Sequence, residues 1–241
     1  MKKKLTKNFN NSADFNEDFN ADFNMEENHF SQGILKRQKT ILILKELFRK
    51  SIHICSAIIP LLLKHFYLLT IILLSLAIVF YTISEILRMH GKNVPLISQI
   101  TVIASRKRDE NKFVLGPVTL AIGILITSLL YKWLPASIGI FSLSFGDGLA
   151  SLFGKLFGQV KVPFTQGKSV AGSLTCFTAI FVSSFLLLYF NGSSLNFLSD
   201  FTELSLILAT IGMFIEILPL KDFDNLLIPI LIGGISQIFL C

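Results

Sequence analysis

The sequence is poor in charge and in cysteine, and both shortages restrict its class. Only 16% of the 241 residues are charged, whereas 52% are hydrophobic and 23 are phenylalanine. This composition excludes an ordinary soluble domain and is typical of a membrane protein. The three cysteines, Cys55, Cys176 and Cys241, lie far apart and form no CxxC or Cys/His group. A zinc centre or a disulfide framework is therefore not expected.

A nucleotide-binding P-loop is also missing, although one fragment resembles it. The stretch FTQGKSVAGS contains Gly167, Lys168 and Ser169, which match the end of a Walker motif. The complete motif, Gly-x4-Gly-Lys-Ser/Thr, requires another glycine where Val162 stands. Any nucleotide chemistry must come from a different set of residues.

What is present is a series of apolar segments after a polar start. Residues 1–40 are rich in Asn and repeat the triplet Asp-Phe-Asn, so they bury too little apolar surface to fold. We predict a disordered tail over 1–40 and a membrane-embedded domain over 41–241. That domain is predicted to be all-α, because a backbone inside the bilayer must satisfy its own hydrogen bonds. About seven transmembrane helices are predicted, near 51–63, 66–87, 114–131, 135–153, 170–189, 203–218 and 225–240.

The positive residues predict the orientation of these helices. Beyond Lys50, ten of the twelve Lys and Arg residues fall in loops on the side of the basic N-terminal flank, and only Lys64 and Lys132 fall on the other. We therefore predict an integral, multi-pass membrane protein whose N-terminus and functional site face the cytoplasm. Since the basic residues lie in short loops between apolar segments, nucleic acid is not an expected partner. The pattern carries no signal for an oligomeric state.

Four acidic residues lie toward the predicted cytoplasmic ends of these segments: Glu85, Asp147, Glu216 and Asp224. They need an explanation, because a carboxylate well inside a bilayer costs about 2.5–3.5 kcal/mol. Mg²⁺ binds carboxylates together with phosphate oxygens and water. Asp147, Glu216 and Asp224 are thus candidate metal ligands, although Asp224 has an alternative role as the N-cap of the last helix.

Two stripes of small residues follow helical spacing on consecutive segments. Small residues let membrane helices pack closely, and glycine also lets a phosphate chain approach the backbone, so both interpretations stay open. A carboxylate begins the first stripe, which packing alone does not explain. The stripes are Asp147, Ala150, Ser151, Gly154 and Gly158, at offsets 0, 3, 4, 7 and 11, and Ser169, Gly172, Ser173 and Cys176, at offsets 0, 3, 4 and 7.

A basic pair precedes the first predicted span. Glu46, Arg49, Lys50 and His53 are spaced by 0, 3, 4 and 7 residues and share a helix face. Arg49 and Lys50 are candidate phosphate ligands, with the alternative that they only anchor the helix at anionic lipid. His53 is expected to be a packed side chain, and Lys221 a solvated loop charge.

In this order, the motifs resemble those of the CTP-dependent lipid kinase family. That family includes dolichol kinase, phytol kinase and CTP-using diacylglycerol kinase, and it is related to phosphatidate cytidylyltransferases. The resemblance covers about residues 47–240. Its motifs are Arg-Lys-x2-His from Arg49, Gly-Asp-x2-Ala-Ser-x2-Gly-Lys-x2-Gly from Gly146, Gly-Lys-Ser-x2-Gly-Ser from Gly167, and Glu216 followed by Asp-Asn-x3-Pro from Asp224.

The resemblance implies a kinase that uses CTP and Mg²⁺ to phosphorylate the hydroxyl of a membrane lipid alcohol. The alcohol would be a polyprenol or dolichol, a phytol-like alcohol or diacylglycerol. Either Asp224 or Glu216 could accept the alcohol proton. The catalytic residues expected are Asp147, Lys168, Arg49, Lys50 and Asp224. The nucleotide-binding residues expected are Gly146, Ser151, Gly154, Lys155, Gly158, Gly167, Ser169, Gly172 and Asn225.

Two other functions are alternatives. Phosphatidate cytidylyltransferases also use CTP, but their longer signature, in which Lys-Arg and Lys-Asp pairs precede Pro-x-His-Gly-Gly, is absent here. A membrane transporter is the second alternative. Transporters usually place polar groups near the midplane of repeated halves, and the sequence indicates neither a repeat nor a charge at mid-span. The kinase is therefore the favoured function.

Overall fold

The computed structural model of the chain describes residues 37–38, 40–41, 43–92, 112–163, 165, 167–191 and 198–240. The chain divides into two units, Met1–Leu44 and Lys45–Cys241. Residues 37–38, 40–41 and 43–44 of the first unit are helical. The disordered tail predicted for 1–40 lies almost wholly outside the described residues and stays a prediction.

The second unit is built from helices that coincide with the predicted apolar segments. Residues 45–55 form α1, and a 3₁₀ turn at Ser56–Ile58 leads into α2, Ile59–His65. The helices that follow are α3 (Tyr67–Met89), α4 (Gly116–Leu130), α5 (Trp133–Phe141), a π-helical turn (Ser142–Asp147), α6 (Gly148–Phe157), α7 (Val170–Asn191), α8 (Leu198–Ile217) and α9 (Asp224–Leu240). The prediction of an all-α fold is confirmed for the described residues.

Within the described part of the chain, three helical segments are long and apolar enough to cross a membrane, judged by length and composition. They are α3, the continuous segment Trp133–Phe157 that includes α5 and α6, and α7. Helices α4 and α9 are apolar but shorter, with 15 and 17 residues. Several apolar helices suited to a membrane are therefore present, and about seven spans remain a prediction. The first predicted span is broken, because the 3₁₀ turn separates α1 from α2.

Helix α3 has an outer surface that suits lipid. Only 11% of its most apolar stretch of 18 residues is buried inside the protein, and Leu68, Leu73 and Phe80 are among its exposed side chains. A continuous apolar face of this size would be unfavourable in water, whereas acyl chains are as apolar as these side chains. We interpret this face as a surface for acyl chains.

The buried core lies among helices α5, α7, α8 and α9. Its side chains are branched aliphatics that fill the space between these helices at no polar cost. Fully buried members are Ile138, Ile180, Leu208, Ile228 and Ile232.

Small residues set the closest approach between helices α6 and α7. A Cβ atom on Gly172 would lie 2.9 Å from the carbonyl oxygen of Ala150 and 3.3 Å from the Cα of Gly154. Only glycine permits that spacing, so the packing interpretation applies to these two glycines of the stripes. The close contact holds the start of α7 beside α6, where the candidate site lies.

The π-helical turn at Ser142–Asp147 interrupts the segment Trp133–Phe157 just before α6. Such turns insert a residue into the helix and are frequent at functional sites. Asp147 stands at the end of the turn, near the middle of this 25-residue segment.

Candidate functional site

A polar cavity of about 260 Å³ opens where helices α1, α6, α7, α8 and α9 come together. Six basic and four acidic side chains line it, so the lining attracts an anion overall. Those charged residues are Arg49, Lys50, Lys155, Lys161, Lys168 and Lys221 with Glu46, Asp147, Glu216 and Asp224. The other lining residues are Ala150, Ser151, Gly154, Gly167, Ser169, Gly172, Ser173 and Pro219.

The three predicted metal ligands meet in this cavity. Asp147, Glu216 and Asp224 are buried, and one carboxylate oxygen from each lies within 4.8 Å of the others. Carboxylates this close repel one another unless a cation or a proton intervenes. Oε2 of Glu216 is buried and has no hydrogen-bond partner among the described residues. An oxygen-only donor set with an unused buried oxygen fits Mg²⁺.

Asp147 is held by two side chains of α1. Nζ of Lys50 lies 2.5 Å from Oδ2 of Asp147, and the lysine is only 1% exposed. Nδ1 of His53 lies 2.9 Å from the same oxygen but off the direction that a hydrogen bond needs. The predicted face of α1 therefore turns inward onto the acid, and His53 is buried there.

Lys168 contacts the other two acids of the cluster. Its Nζ lies 3.1 Å from Oε1 of Glu216 and 4.0 Å from Oδ2 of Asp224, and it also donates to the backbone carbonyl of Glu216. The preceding Gly167 has a φ of 84°, in the left-handed region that favours glycine. An isolated bridge between Lys161 and Ser169 folds this segment back on itself, which directs Lys168 into the cavity.

Glu46 links the basic residues on the outer side of the cavity. It lies 2.5 Å from Arg49 and 3.2 Å from Nζ of Lys155, and it accepts a 2.6 Å hydrogen bond from Oγ of Ser151. Burial alone would raise the pKa of Glu46, but Arg49, Lys50 and Ser151 hold that pKa well below its usual range. Burial would likewise lower the pKa of Arg49, but the charge of Glu46 raises it. Both groups are therefore charged at neutral pH.

Three of the predicted site residues do not line the cavity. Gly146 packs against Ile180 of α7, and Gly158 packs against the segment that leads into α7. The side-chain amide of Asn225 donates to Oγ1 of Thr119 at 3.2 Å. Packing accounts for the two glycines, whereas Oδ1 of Asn225 is buried with no hydrogen-bond partner among the described residues. The predicted residues that do line the cavity are Arg49, Lys50, Asp147, Ser151, Gly154, Lys155, Gly167, Lys168, Ser169, Gly172, Glu216 and Asp224.

Glu85 and Asp224 have other contacts that explain part of their burial. Glu85 accepts hydrogen bonds from Arg88 and from the backbone N–H of Val114, and it does not line the cavity. It therefore fastens the start of the segment before α4 and does not join the other three acids. Oδ1 of Asp224 accepts a hydrogen bond from the backbone N–H of Asn225 at 2.9 Å. Asp224 therefore makes a contact at the start of α9 and also belongs to the acid cluster.

Sequence reasoning missed Lys161 and Lys221, which it counted as loop charges. Both line the cavity. A signal for Lys161 was present, because Pro163 and Gly167 mark a turn that returns the chain toward Ser169. Lys221 has a φ of 58°, a conformation that the sequence does not indicate.

Curated relatives of the chain are lipid-alcohol kinases by name. A probable phytol kinase of Zea mays is 30% identical over 204 residues, which are 78% of this chain and 65% of the relative. Phytol kinase 1 of Arabidopsis thaliana is 29% identical over 151 residues, 59% of this chain and 49% of the relative. Farnesol kinase of the same plant is 30% identical over 128 residues, 50% of this chain and 41% of the relative. This chain is similar to the phytol and farnesol kinases.

The similarity to phytol and farnesol kinases confirms the family resemblance that the motifs indicate. All three relatives are named chloroplastic. The chain spans 41–65% of the length of these kinases. No protein-family model and no solved structure matches the chain.

Proposed function

We propose that the protein is a lipid-alcohol kinase that transfers the terminal phosphate of CTP to the hydroxyl of an isoprenoid alcohol of the phytol or farnesol class. The observation that carries this proposal is the cavity in which three buried carboxylates face six basic side chains. The names of the relatives favour an isoprenoid alcohol over diacylglycerol. CTP as the donor is inferred from the motif resemblance.

Asp147, Glu216 and Asp224 would hold Mg²⁺, since their oxygens converge and Oε2 of Glu216 has no partner among the described residues. When bound, the ion would neutralise negative charge on the phosphates of the nucleotide. We also propose that the protein crosses the membrane several times, with the cavity and the N-terminus on the cytoplasmic side.

The basic residues would supply the rest of the charge neutralisation. Phosphoryl transfer passes through a loose transition state, so positioning and electrostatics account for most of the catalysis. Arg49, Lys155 and Lys168 line the cavity with partly exposed side chains that can reach a phosphate. Gly154 and Gly172 also line the cavity, and their lack of side chains lets α6 and α7 pack closely beside it.

The acceptor hydroxyl would enter from the lipid side of α6 and α7. Leu156 and Leu174 are exposed on these helices, close in sequence to the lining residues Lys155 and Ser173. An isoprenoid tail against this apolar surface would have its hydroxyl beside the cavity. As the oxygen attacks the terminal phosphorus, the bond to the CDP leaving group breaks, and the hydroxyl proton passes to Glu216 or Asp224.

The test is phosphoryl transfer by the purified protein in nanodiscs, with CTP labelled either on the terminal or on the innermost phosphate. We expect label in phytol or farnesol only from terminally labelled CTP. With phosphatidate as the lipid, label from the innermost phosphate would instead indicate a cytidylyltransferase. If neither labelled form of CTP transfers label to any of these lipids, both the kinase and the cytidylyltransferase function are rejected.

A further inference from the structure

The ammonium of Lys168 occupies the position that a cation would take between two of the acids. It lies within 3.1 Å of Glu216 and 4.0 Å of Asp224, and it donates to the Glu216 carbonyl as well. These contacts satisfy one carboxylate oxygen of Glu216, whereas Oε2 has no partner among the described residues. Lys168 is thus an internal counter-ion of the acid cluster.

Two lysines, Lys50 and Lys168, partly neutralise the three carboxylates of this cluster. They differ in how easily each can move away from the carboxylates. Lys50 is 1% exposed and contacts Asp147 at 2.5 Å, so its departure would leave a buried charge unpaired. The side chain of Lys168 is 23% exposed and follows Gly167 in a turn that borders the cavity. Lys168 is therefore the lysine that can move toward solvent.

A divalent cation at Asp147, Glu216 and Asp224 would meet the Lys168 ammonium at contact distance. Two cations that share the same carboxylates repel strongly, because the Coulomb energy at 3–4 Å in a partly buried site is several times its value in water. Occupation of the site by both is unfavourable.

We propose that Lys168 exchanges with the divalent cation: its ammonium neutralises Glu216 and Asp224 before the metal binds and leaves them when the metal binds. On leaving, Lys168 turns into the cavity, where it is available to the phosphate. That last step rests on the proposed function, whereas the exchange itself requires only the acid cluster. Lys168 is then a positioning residue for the metal and a phosphate ligand in succession.

The first test compares Mn²⁺ affinity by electron paramagnetic resonance in the purified protein, without nucleotide or lipid. Lys168→Met should bind Mn²⁺ at least about tenfold more tightly than the unsubstituted protein, because the competing charge is gone. The matched control is Lys161→Met, which removes the same charge from the same cavity. Among the described residues, Lys161 has no ion pair with the three acids. The control should change the affinity by less than about threefold.

Equal effects of the two substitutions, weaker binding by Lys168→Met, or no Mn²⁺ binding by any of the three proteins would overturn the exchange. A second measurement avoids substitutions, so it also covers a variant that fails to fold. The acetylation rate of Lys168 by an amine-reactive ester is followed by mass spectrometry, with Lys161 as the internal reference. Mg²⁺ should accelerate acetylation of Lys168 several-fold relative to Lys161. An unchanged or slower rate contradicts the proposal.

These results are separable from the kinase proposal. Competition between Lys168 and Mn²⁺ without phosphoryl transfer would support the exchange and reject the kinase. Transfer to an isoprenoid alcohol without competition would support the kinase and reject the exchange.

Discussion

At the scale of single residues, the ion pair between Lys50 and Asp147 is buried, and stability alone does not explain it. Both side chains are almost fully removed from solvent. A buried ion pair adds little net stability, because the desolvation of two charges offsets their attraction. The pair is therefore better explained by placement: Lys50 holds the Asp147 carboxylate in the acid cluster while it neutralises part of its charge.

Substitutions of Lys50 and Asp147 should affect stability and transfer activity differently. Lys50→Met leaves the Asp147 charge buried and unpaired, and we expect a loss of about 3–5 kcal/mol in the free energy of unfolding. The double variant Lys50→Met with Asp147→Leu should recover most of that loss but show no transfer activity. Denaturant unfolding in detergent and the labelled-CTP assay measure the two effects. Full activity in the double variant would show that neither residue belongs to the site.

Substitution at Glu216 tests the acid cluster with little change in shape. Glu216→Gln should lower the transfer rate at least about 100-fold, since one charged ligand is lost, and it should raise the Mg²⁺ concentration needed for half-maximal rate. The control is Asp200→Asn in the first turn of the same helix α8, about 24 Å away at 1.5 Å per residue. We expect a change below about twofold for the control. Comparable losses for both would mean that α8 as a whole, and not the cluster, was disturbed.

At the scale of elements, the contact between α6 and α7 positions both halves of the cavity. The sequence stripes indicated which face of each helix is small, because helical periodicity is local. They did not indicate that the two faces touch each other through Gly172 and Ala150, or that the segment between them folds back at the Lys161 to Ser169 bridge. Contacts between elements depend on tertiary packing, which no local pattern encodes.

Gly172→Ala should force α6 and α7 apart. The added methyl group would meet the Ala150 carbonyl at 2.9 Å and the Cα of Gly154 at 3.3 Å, and we expect a loss of about 1–3 kcal/mol in stability together with lower activity. Gly116→Ala is the matched control, because no described atom lies within 4 Å of the Cβ it would add. Thermal unfolding should be nearly unchanged in that control. A Gly172→Ala protein as stable and active as the control would exclude the close contact.

The turn before Lys168 allows a test of backbone conformation alone. No described atom lies within 4 Å of a Cβ on Gly167, yet its φ is 84°. Gly167→Ala should therefore cost about 1–2 kcal/mol through backbone strain, and Gly167→Asn should cost less, because Asn adopts left-handed conformations more readily. Transfer rates should fall in the same order if the turn directs Lys168. Equal stability of the two variants would contradict the assigned conformation.

At the scale of the whole molecule, the apolar segments predicted where the helices lie, since burial and lipid contact both require long apolar runs. The break between α1 and α2 was not predicted, because a 3₁₀ turn has no strong sequence signature in an apolar run. The acids of the cluster were predicted from their cost in a membrane. The link between Glu46 and Ser151 was not, because these residues are 105 positions apart and only the fold brings them together.

Anomalous scattering from Mn²⁺ in crystals grown with a non-hydrolysable CTP analogue addresses the acid cluster and its ligand together. The geometry predicts a metal peak within coordination distance of Asp147, Glu216 and Asp224, with the triphosphate beside Lys155 and Lys168. A metal and nucleotide bound elsewhere, with these three carboxylates contacting neither, would contradict the site and the kinase function built on it.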